Sequence, residues 1–394
     1  MIDPIVIVSA KRTPIANFNG LYKDIPSPQL GGHAISAAVN GVLSPTEKID
    51  GVIMGCVLSA GLGQAPARQA ALSAGLSSAV PCTTMNKMCG SGMKAVMMAH
   101  REIVSNQADI MIAGGMENMS RAPYLLPGAR FGYRIGAQQV EDHMMLDGLI
   151  NAYGDHLSMG VLAENCVKKF GISREAQDAF ALESLKRAAN ATKSGFFKDE
   201  ITPITIQDKK SSVIISEDEG IQKAKPEKIP QLKPAFVKDG TITAANSSSI
   251  SDGAAALVLM RLSTAEKLGL KPLAKIIGDH TIAQEPEWFS TAPIFAIEKL
   301  MSKINWTVNE VDLFEVNEAF AVVTMAAMQA LSIPHEKMNI HGGACVLGHP
   351  IGASGARILV TLIHALKQHG KKRGIAALCI GGGEATAMAV EIIE

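Results

Sequence analysis

Cys89 stands in the run Met85-Asn-Lys-Met-Cys-Gly-Ser-Gly-Met-Lys-Ala-Val96, where a turn gives way to an apolar stretch of helical spacing that reaches about Val104. Gly90 and Gly92 allow close backbone approach at that point. Unpaired peptide N–H groups and the positive end of the macrodipole gather at a helix start, and both favour a thiolate. The run therefore fits an activated nucleophile, and it fits a buried structural cysteine equally well. A histidine occupies a comparable turn in His341-Gly-Gly-Ala-Cys-Val-Leu-Gly-His349-Pro-Ile-Gly-Ala-Ser-Gly-Ala-Arg357. Cysteine and histidine brought face to face are a standard way to generate thiolate near neutral pH. Cys379 closes an apolar run ahead of Ile-Gly-Gly-Gly383, whose N–H groups are suited to cradling an oxyanion. Asn317, in Val316-Asn-Glu-Ala-Phe320, ends a strand expected to start near Val311. Its amide suits holding a water or a carbonyl oxygen; capping a helix with Glu318, Ala319 and Phe320 in its first turn is the alternative.

The elements that must position these groups are legible as short β-rich runs bounded by glycine. They are Ile5-Val-Ile-Val8, Gly51-Val-Ile-Met-Gly55, Ile110-Met-Ile-Ala-Gly-Gly115, Leu257-Val-Leu-Met260 and Ala376-Ala-Leu-Cys-Ile380. Alanine-rich helical stretches lie between several of them, a pattern of buried strands covered by helices. The chain also resembles itself. Ser91-Gly-Met-Lys-Ala-Val leads through a helix to Ile110-Met-Ile-Ala-Gly-Gly-Met-Glu117, and Ser354-Gly-Ala-Arg-Ile-Leu leads through a helix to Leu378-Cys-Ile-Gly-Gly-Gly-Glu384. Each copy reads as a turn, a Ser-Gly, an apolar helix, and a strand ending in Gly-Gly before a glutamate. Pseudo-twofold symmetry between two such halves brings the Cys89 and His349 turns together. From about Ser120 to Asn246 the apolar strands thin out, and charged pieces such as Lys198-Asp-Glu200, Ser216-Glu-Asp-Glu219 and Lys223-Ala-Lys-Pro-Glu-Lys228 read as a solvated surface.

Composition narrows the function classes. The 394 residues are 47% hydrophobic and carry 37 Lys and Arg against 37 Asp and Glu, so no basic field invites nucleic acid. Aromatics at 4% leave no stacking platform for bases. Six cysteines (Cys56, Cys82, Cys89, Cys166, Cys345, Cys379) are scattered without a CxxC pair, which argues against a structural zinc, a metal site or a disulfide framework. The N-terminus, Met-Ile-Asp-Pro-Ile-Val-Ile-Val-Ser-Ala, reads as a first strand rather than a signal peptide, and no apolar run is long enough for a bilayer. The expectation is a cytoplasmic protein with no membrane partner.

Taken with Ser251-Asp-Gly-Ala-Ala-Ala256 and the opening Ile7-Val-Ser-Ala-Lys-Arg-Thr-Pro14, five motifs give the chain a family likeness. They are Asn86-Lys-Met-Cys-Gly-Ser-Gly92, Gly114-Gly-Met-Glu-Asn-Met-Ser120, Asn317-Glu-Ala-Phe320, Gly348-His-Pro-Ile-Gly-Ala-Ser-Gly-Ala-Arg357 and Cys379-Ile-Gly-Gly-Gly383. In order and over the whole chain, these resemble the thiolases, specifically the acetyl-CoA acetyltransferases. The resemblance implies an α/β thiolase fold: two pseudo-symmetric halves in a five-layered αβαβα arrangement with an inserted loop domain. The implied boundaries are 1–120 plus 247–271 for the N-terminal half, 121–246 for the loop domain over coenzyme A, and 272–394 for the C-terminal half. It further implies a homotetramer, no permanently bound cofactor, and acetyl-CoA and coenzyme A as substrates.

The same likeness assigns roles. Cys89 attacks a thioester and carries the acetyl group, His349 takes the thiol proton, and Cys379 removes a proton from the methyl of a second acetyl-CoA. One oxyanion hole uses His349 with a water held by Asn317, and another uses the backbone N–H groups of Cys89 and Gly381. The positions implied to face coenzyme A are Leu149, Met159, Phe236, Ala244, Ser248, Ala319 and Phe320. The chain departs from the short-chain relatives at Asp147–Asn165, where Ser158 replaces a histidine before Met-Gly, His156 lies two residues earlier, and the loop is about one residue longer. Near Gln222 and Lys223 it lacks an arginine some relatives place by the adenine, and His341 and the packing thiol Cys345 are further differences. A broader 3-ketoacyl-CoA thiolase of β-oxidation, its acyl pocket bounded by Met88, Met159 and Phe320, shares the catalytic set. A decarboxylating ketosynthase has no use for Cys379 as base, and an inactive acyl-CoA- or lipid-binding relative requires broken motifs, whereas these are intact.

Overall fold

Strand Ile5–Arg12 alternates its side chains between two cores: Ile5 and Ile7 pack with one cluster, Val6 and Val8 with another. Burial on both faces is why the strand reads as an unbroken apolar run. The computed structural model describes residues 3–44, 47–207 and 212–393, so Met1 and Ile2 of the expected first strand lie outside the described residues. In the first half the strand order is Cys82–Met85, Gly51–Gly55, Ile110–Asn118, Ser251–Arg261, Ile5–Arg12. The second half continues with Ala274–Ala283, Glu384–Ile392, Arg373–Ile380 and Leu313–Val316. The two sets meet where Val6 and Ile7 pair with Lys275 and Ala274.

Helices Ser91–Val104 and Ile351–Gln368 fill the space between the sets. Met93, Val96 and Met97 of one and Ile358, Leu359 and Leu362 of the other share a single core with Ile7 and Leu257 on one side and Leu378 and Met388 on the other. The second helix is buried at every residue from Ile351 to Leu366, with its Arg357 paired to Glu315 and its His364 ring 2.9 Å from the Ala10 carbonyl oxygen. Helix Ser27–Val39 covers the outer face of the first set through Leu30 and Ile35. Helix Ala292–Ile304 does the same for the second set through Ala296, Ile297 and Leu300. The layers are thus helix, sheet, helix pair, sheet, helix.

Two sequence expectations need correction. The first Gly-Gly-Glu segment does not end its strand: pairing continues through Glu117 and Asn118 against Gly253 and Asp252. Glu117 is fully buried and held from outside the strand, accepting N–H groups from Val57 (2.9 Å), Leu58 (3.1 Å) and Gly352 (2.9 Å). In the second half the glycines do turn the chain, with Gly382 and Gly383 at φ of +93° and +86°, and Glu384 opens the return strand. The charged stretch of the middle region is also not wholly solvated. Glu200, Asp218 and Glu219 are buried; Glu219 accepts the N–H groups of Asn17 and Leu21, and Glu200 and Asp218 are reached by Arg12 from the first strand. Its Nε donates to Glu200 at 2.5 Å, and its two terminal nitrogens donate to Asp218 at 2.7 and 2.9 Å. A planar, bidentate pair of this kind offsets the desolvation of all three groups and pins the middle region to the core.

Candidate active site

The Cys89 turn is fixed by its own side chains. Asn86 Oδ1 accepts the Met88 N–H at 2.8 Å, Ser91 Oγ accepts the Lys87 N–H at 2.8 Å, and the Ser91 hydroxyl donates to the Met88 carbonyl at 2.6 Å. Met88 is driven to φ +46°, a left-handed conformation that aims Cys89 inward ahead of the helix. Helix Ser91–Val104 begins two residues later, with Gly90 as its cap. Cys89 itself is half-buried and packs beside Met88, Met145, Leu149 and Ile351.

The backbone N–H groups of Gly381 and of Cys89 itself favour the ionised Cys89 sulfur. Burial nonetheless outweighs them, with a smaller push from the Glu117 carboxylate, and the thiol is raised to about 11. The expected thiolate at a helix start is therefore a thiol in the free protein. His349 is buried, and burial together with Arg357 lowers its pKa to about 3, so the imidazole is neutral. Its Nδ1 lies 2.6 Å from Ser354 Oγ and 3.4 Å from Asn317 Nδ2. Its Nε2 has no hydrogen-bond partner among the described residues, Cys89 included. Asn317 Oδ1 is likewise buried without a partner. Asn317 does not cap the next helix, which starts at Ala321 after Phe320. Cys379 is 1% exposed, and its thiol is pushed up by burial, by nearby Cys89 and by Cys166.

His349 opens onto a cavity of about 390 Å³ whose wall is predominantly apolar, and Ile351, in the cluster against which Cys89 packs, stands on the same wall. Leu149, Met159, Phe236, Ala244, Ser248 and Phe320 stand on its wall with His349. Ala319 does not; it is buried behind, its carbonyl accepting the Ser248 N–H. Phe236 and Phe320 meet edge to face at 5.9 Å. Sequence reasoning missed Met119, Met145, Ser249, Ile250 and Ile351, which also stand on the wall, and Ser354 and Glu117, which hold His349 and Gly352 from behind. Ser354 and Glu117 lie inside recognised motifs, but nothing in the spacing tells that they face this way.

The departures noted in the sequence find places too. Ser158 lines the cavity while His156 faces solvent at φ +52°. His341 is buried away from the cavity wall, its Nε2 3.0 Å from that of His369 and its ring stacked on Phe196. Cys345 borders a second hollow of about 330 Å³, rimmed by Lys223, Lys225 and Lys228, that shares Ala244 and Ser249 with the first. A larger open groove between Phe180, Met325, Met328 and His335 touches none of these groups. Among the described residues no cluster of three His, Cys, Asp or Glu side chains is arranged for a metal ion, and no helix is long and apolar enough to cross a membrane. A nucleophilic thiol, a neutral imidazole with a free nitrogen, a second buried thiol and convergent N–H groups can together perform acyl transfer onto sulfur.

Comparison with known proteins agrees. A family model described as the thiolase N-terminal domain matches residues 5–263, and one for the thiolase C-terminal domain matches residues 270–392. An acetyl-CoA acetyltransferase of Chromobacterium violaceum is 48% identical over 98% of this chain and 99% of its own length. One from Cupriavidus necator is also 48% identical over the same shares, and a probable acetyl-CoA acyltransferase of Staphylococcus aureus is 45% identical over 98% of each. The crystal structure of the Bacillus anthracis acetyl-CoA acetyltransferase superposes with a TM-score of 0.96 at 40% identity, covering 100% of this chain and 99% of that one. Acat5 thiolase from Ascaris suum, in complex with coenzyme A, superposes at 0.93 and 40% identity over 99% and 100%.

Proposed function

The chain belongs to the thiolase family, and we propose that it is an acetyl-CoA C-acetyltransferase, joining two acetyl-CoA into acetoacetyl-CoA and free coenzyme A, reversibly, through an acetyl-cysteine. The observation that carries this reading is a Cys89 sulfur favoured as thiolate by two backbone N–H groups, together with a neutral, buried His349 whose Nε2 is unengaged. In the first half-reaction Nε2 takes the Cys89 proton, and sulfur attacks the thioester carbon while the N–H groups of Cys89 and Gly381 meet the oxyanion. The departing coenzyme A thiolate takes its proton from Cys379, which is left as thiolate. A thiol whose pKa is pushed up makes a strong base, which a weak C–H acid requires. In the second half-reaction Cys379 removes a proton from the methyl of a second acetyl-CoA. The enolate, met by Nε2–H and a water on Asn317, attacks acetyl-Cys89, and the released sulfur recovers its proton from His349.

Coenzyme A fits the two joined hollows: pantetheine in the apolar one between Met159, Phe236 and Phe320, phosphates at Lys223, Lys225 and Lys228. Residues 121–246 act as the loop domain over it. Phe131 and Ile135, 91% and 94% exposed beside the Tyr124–Leu125 and Glu141–Asp142 hairpin, support a homotetramer, which light scattering of the purified protein measures. A cytoplasmic location is read by cell fractionation. The test of function is thiolysis of acetoacetyl-CoA against longer 3-ketoacyl-CoA thioesters, followed by loss of ketoacyl absorbance. A steep preference for acetoacetyl-CoA is expected, and Cys89→Ser should lower the rate on the order of 10⁴-fold. Comparable rates on longer chains would move the protein to β-oxidation, and undiminished activity in the serine variant would remove the acetyl-cysteine.

A further inference from the structure

Ser354 lies in the first turn of helix Ile351–Gln368, has no exposed surface, and contacts His349 at Nδ1 rather than the substrate cavity. Its Oγ is 2.6 Å from that nitrogen and 2.9 Å from the Pro350 carbonyl oxygen, one turn back. A hydroxyl has one proton to give, and a carbonyl oxygen only accepts. Helical serines characteristically donate to the carbonyl four residues earlier. With the proton on Pro350, Oγ is an acceptor and must receive Nδ1–H.

We propose that Ser354 is the positioning residue that holds the proton of His349 on Nδ1, leaving Nε2 as the nitrogen that exchanges protons with Cys89. The proposal rests on the acetyltransferase reading, which needs Nε2 to take a proton and keep it until sulfur is released. It also gives a role to two buried atoms that otherwise have none. Nε2 becomes the bare acceptor. The Asn317 amide, 3.4 Å from Nδ1, then turns its oxygen to accept from the ring N–H. Its NH₂ group replaces the unpartnered Oδ1 and can hold the water or carbonyl oxygen of the reaction. Once Nε2 is protonated the ring is a cation in a dry site, and the Nδ1–H bond to Ser354 is retained unchanged through the acetyl-enzyme stage. In the competing arrangement the Ser354 hydroxyl donates to a bare Nδ1, since Pro350 already accepts the N–H groups of Ala353 and Ser354. It leaves Nε2–H, which cannot accept from Cys89.

The deciding measurement is ¹⁵N spectroscopy of histidine-labelled protein, with His349 assigned by its loss in a His349→Asn variant. A signal pair with Nδ1 protonated and Nε2 bare is expected at neutral pH in the intact chain; the reverse pair overturns the proposal. This readout needs no substrate, so failure of the acetyltransferase reading and failure of this one remain separable. In kinetics, Ser354→Ala should slow single-turnover acetylation of Cys89 roughly 10- to 100-fold with KM changed less than about twofold. Ser354→Thr, which keeps the hydroxyl, should recover most of that loss. Wild-type acetylation rates in the alanine variant would overturn the role.

Discussion

The two halves present matching turns to the site and equip them differently. The residue before Cys89 and the residue before His349 both have positive φ, Met88 at +46° and Gly348 at +101°. In the first half a large side chain occupies that strained position and packs against the same cluster as Cys89. In the second a methyl group would collide with Ser251 Oγ, so only glycine fits. Cys89 is half-buried and met by backbone N–H groups; His349 is buried and held by side chains. The glutamates diverge as well: Glu117 is a buried hub for three N–H groups, whereas Glu384 is partly exposed and pairs with Lys87 across the halves. A repeated backbone thus supplies the geometry twice, while burial divides the labour. Cys89 keeps some exposure while His349 is kept dry and neutral, as the proposed roles of nucleophile and proton carrier require.

That division breaks most visibly if Cys89 and His349 form an ion pair before substrate arrives. With a thiol at about 11 and a neutral ring, alkylation of the Cys89 peptide by iodoacetamide should climb with pH until about 11. The slope should be ~tenfold per unit, or about three powers of ten between roughly pH 7 and 10, because the thiolate is the reactive form. A rate already flat near neutrality would mean a preformed thiolate. The glutamates sharpen the contrast in stability. Glu117→Ala strands three buried N–H groups and should cost ~3 kcal/mol or more in urea unfolding. Glu384→Ala breaks a half-exposed pair and should cost ~1 kcal/mol or less; equal losses would erase the distinction. The two turns differ in the same sense. Gly348→Ala should destabilise by ~1–3 kcal/mol, while Met88→Gly, which relieves its left-handed strain but loses packing, should stay within about 1 kcal/mol of wild type.

Much of this was written in the chain because it is local. The apolar period ending at Val104 matches helix Ser91–Val104, and glycine-bounded runs such as Gly51–Gly55 are strands. The Cys89, His349 and Cys379 motifs each carry their own turn or strand end, so residue type and neighbours announce them. What stayed hidden is set by contacts across hundreds of residues. Glu200 reads as surface until Arg12, 188 positions earlier, is folded against it. Glu117 looks like a strand end until Gly352 arrives from the other half. The protonation of Cys89 was misjudged for the same reason: a helix start is visible in sequence, but the desolvation that outweighs it is created by distant packing. Ser354 shares a motif with His349 and still gave no sign of which atom it would touch.

Strand Ser251–Arg261 lies between Ile5–Arg12 and Ile110–Asn118 and pairs with both. On the ribosome this fixes a calendar. The strands at 5–12 and 110–118 emerge early yet share no border until the chain has been made past residue 261, after the whole middle region has been threaded out. The first sheet therefore cannot close until its last strand is made, and the nascent chain carries open strand edges through roughly 140 further residues of elongation, on the order of 10 to 30 seconds at about 5–20 residues per second.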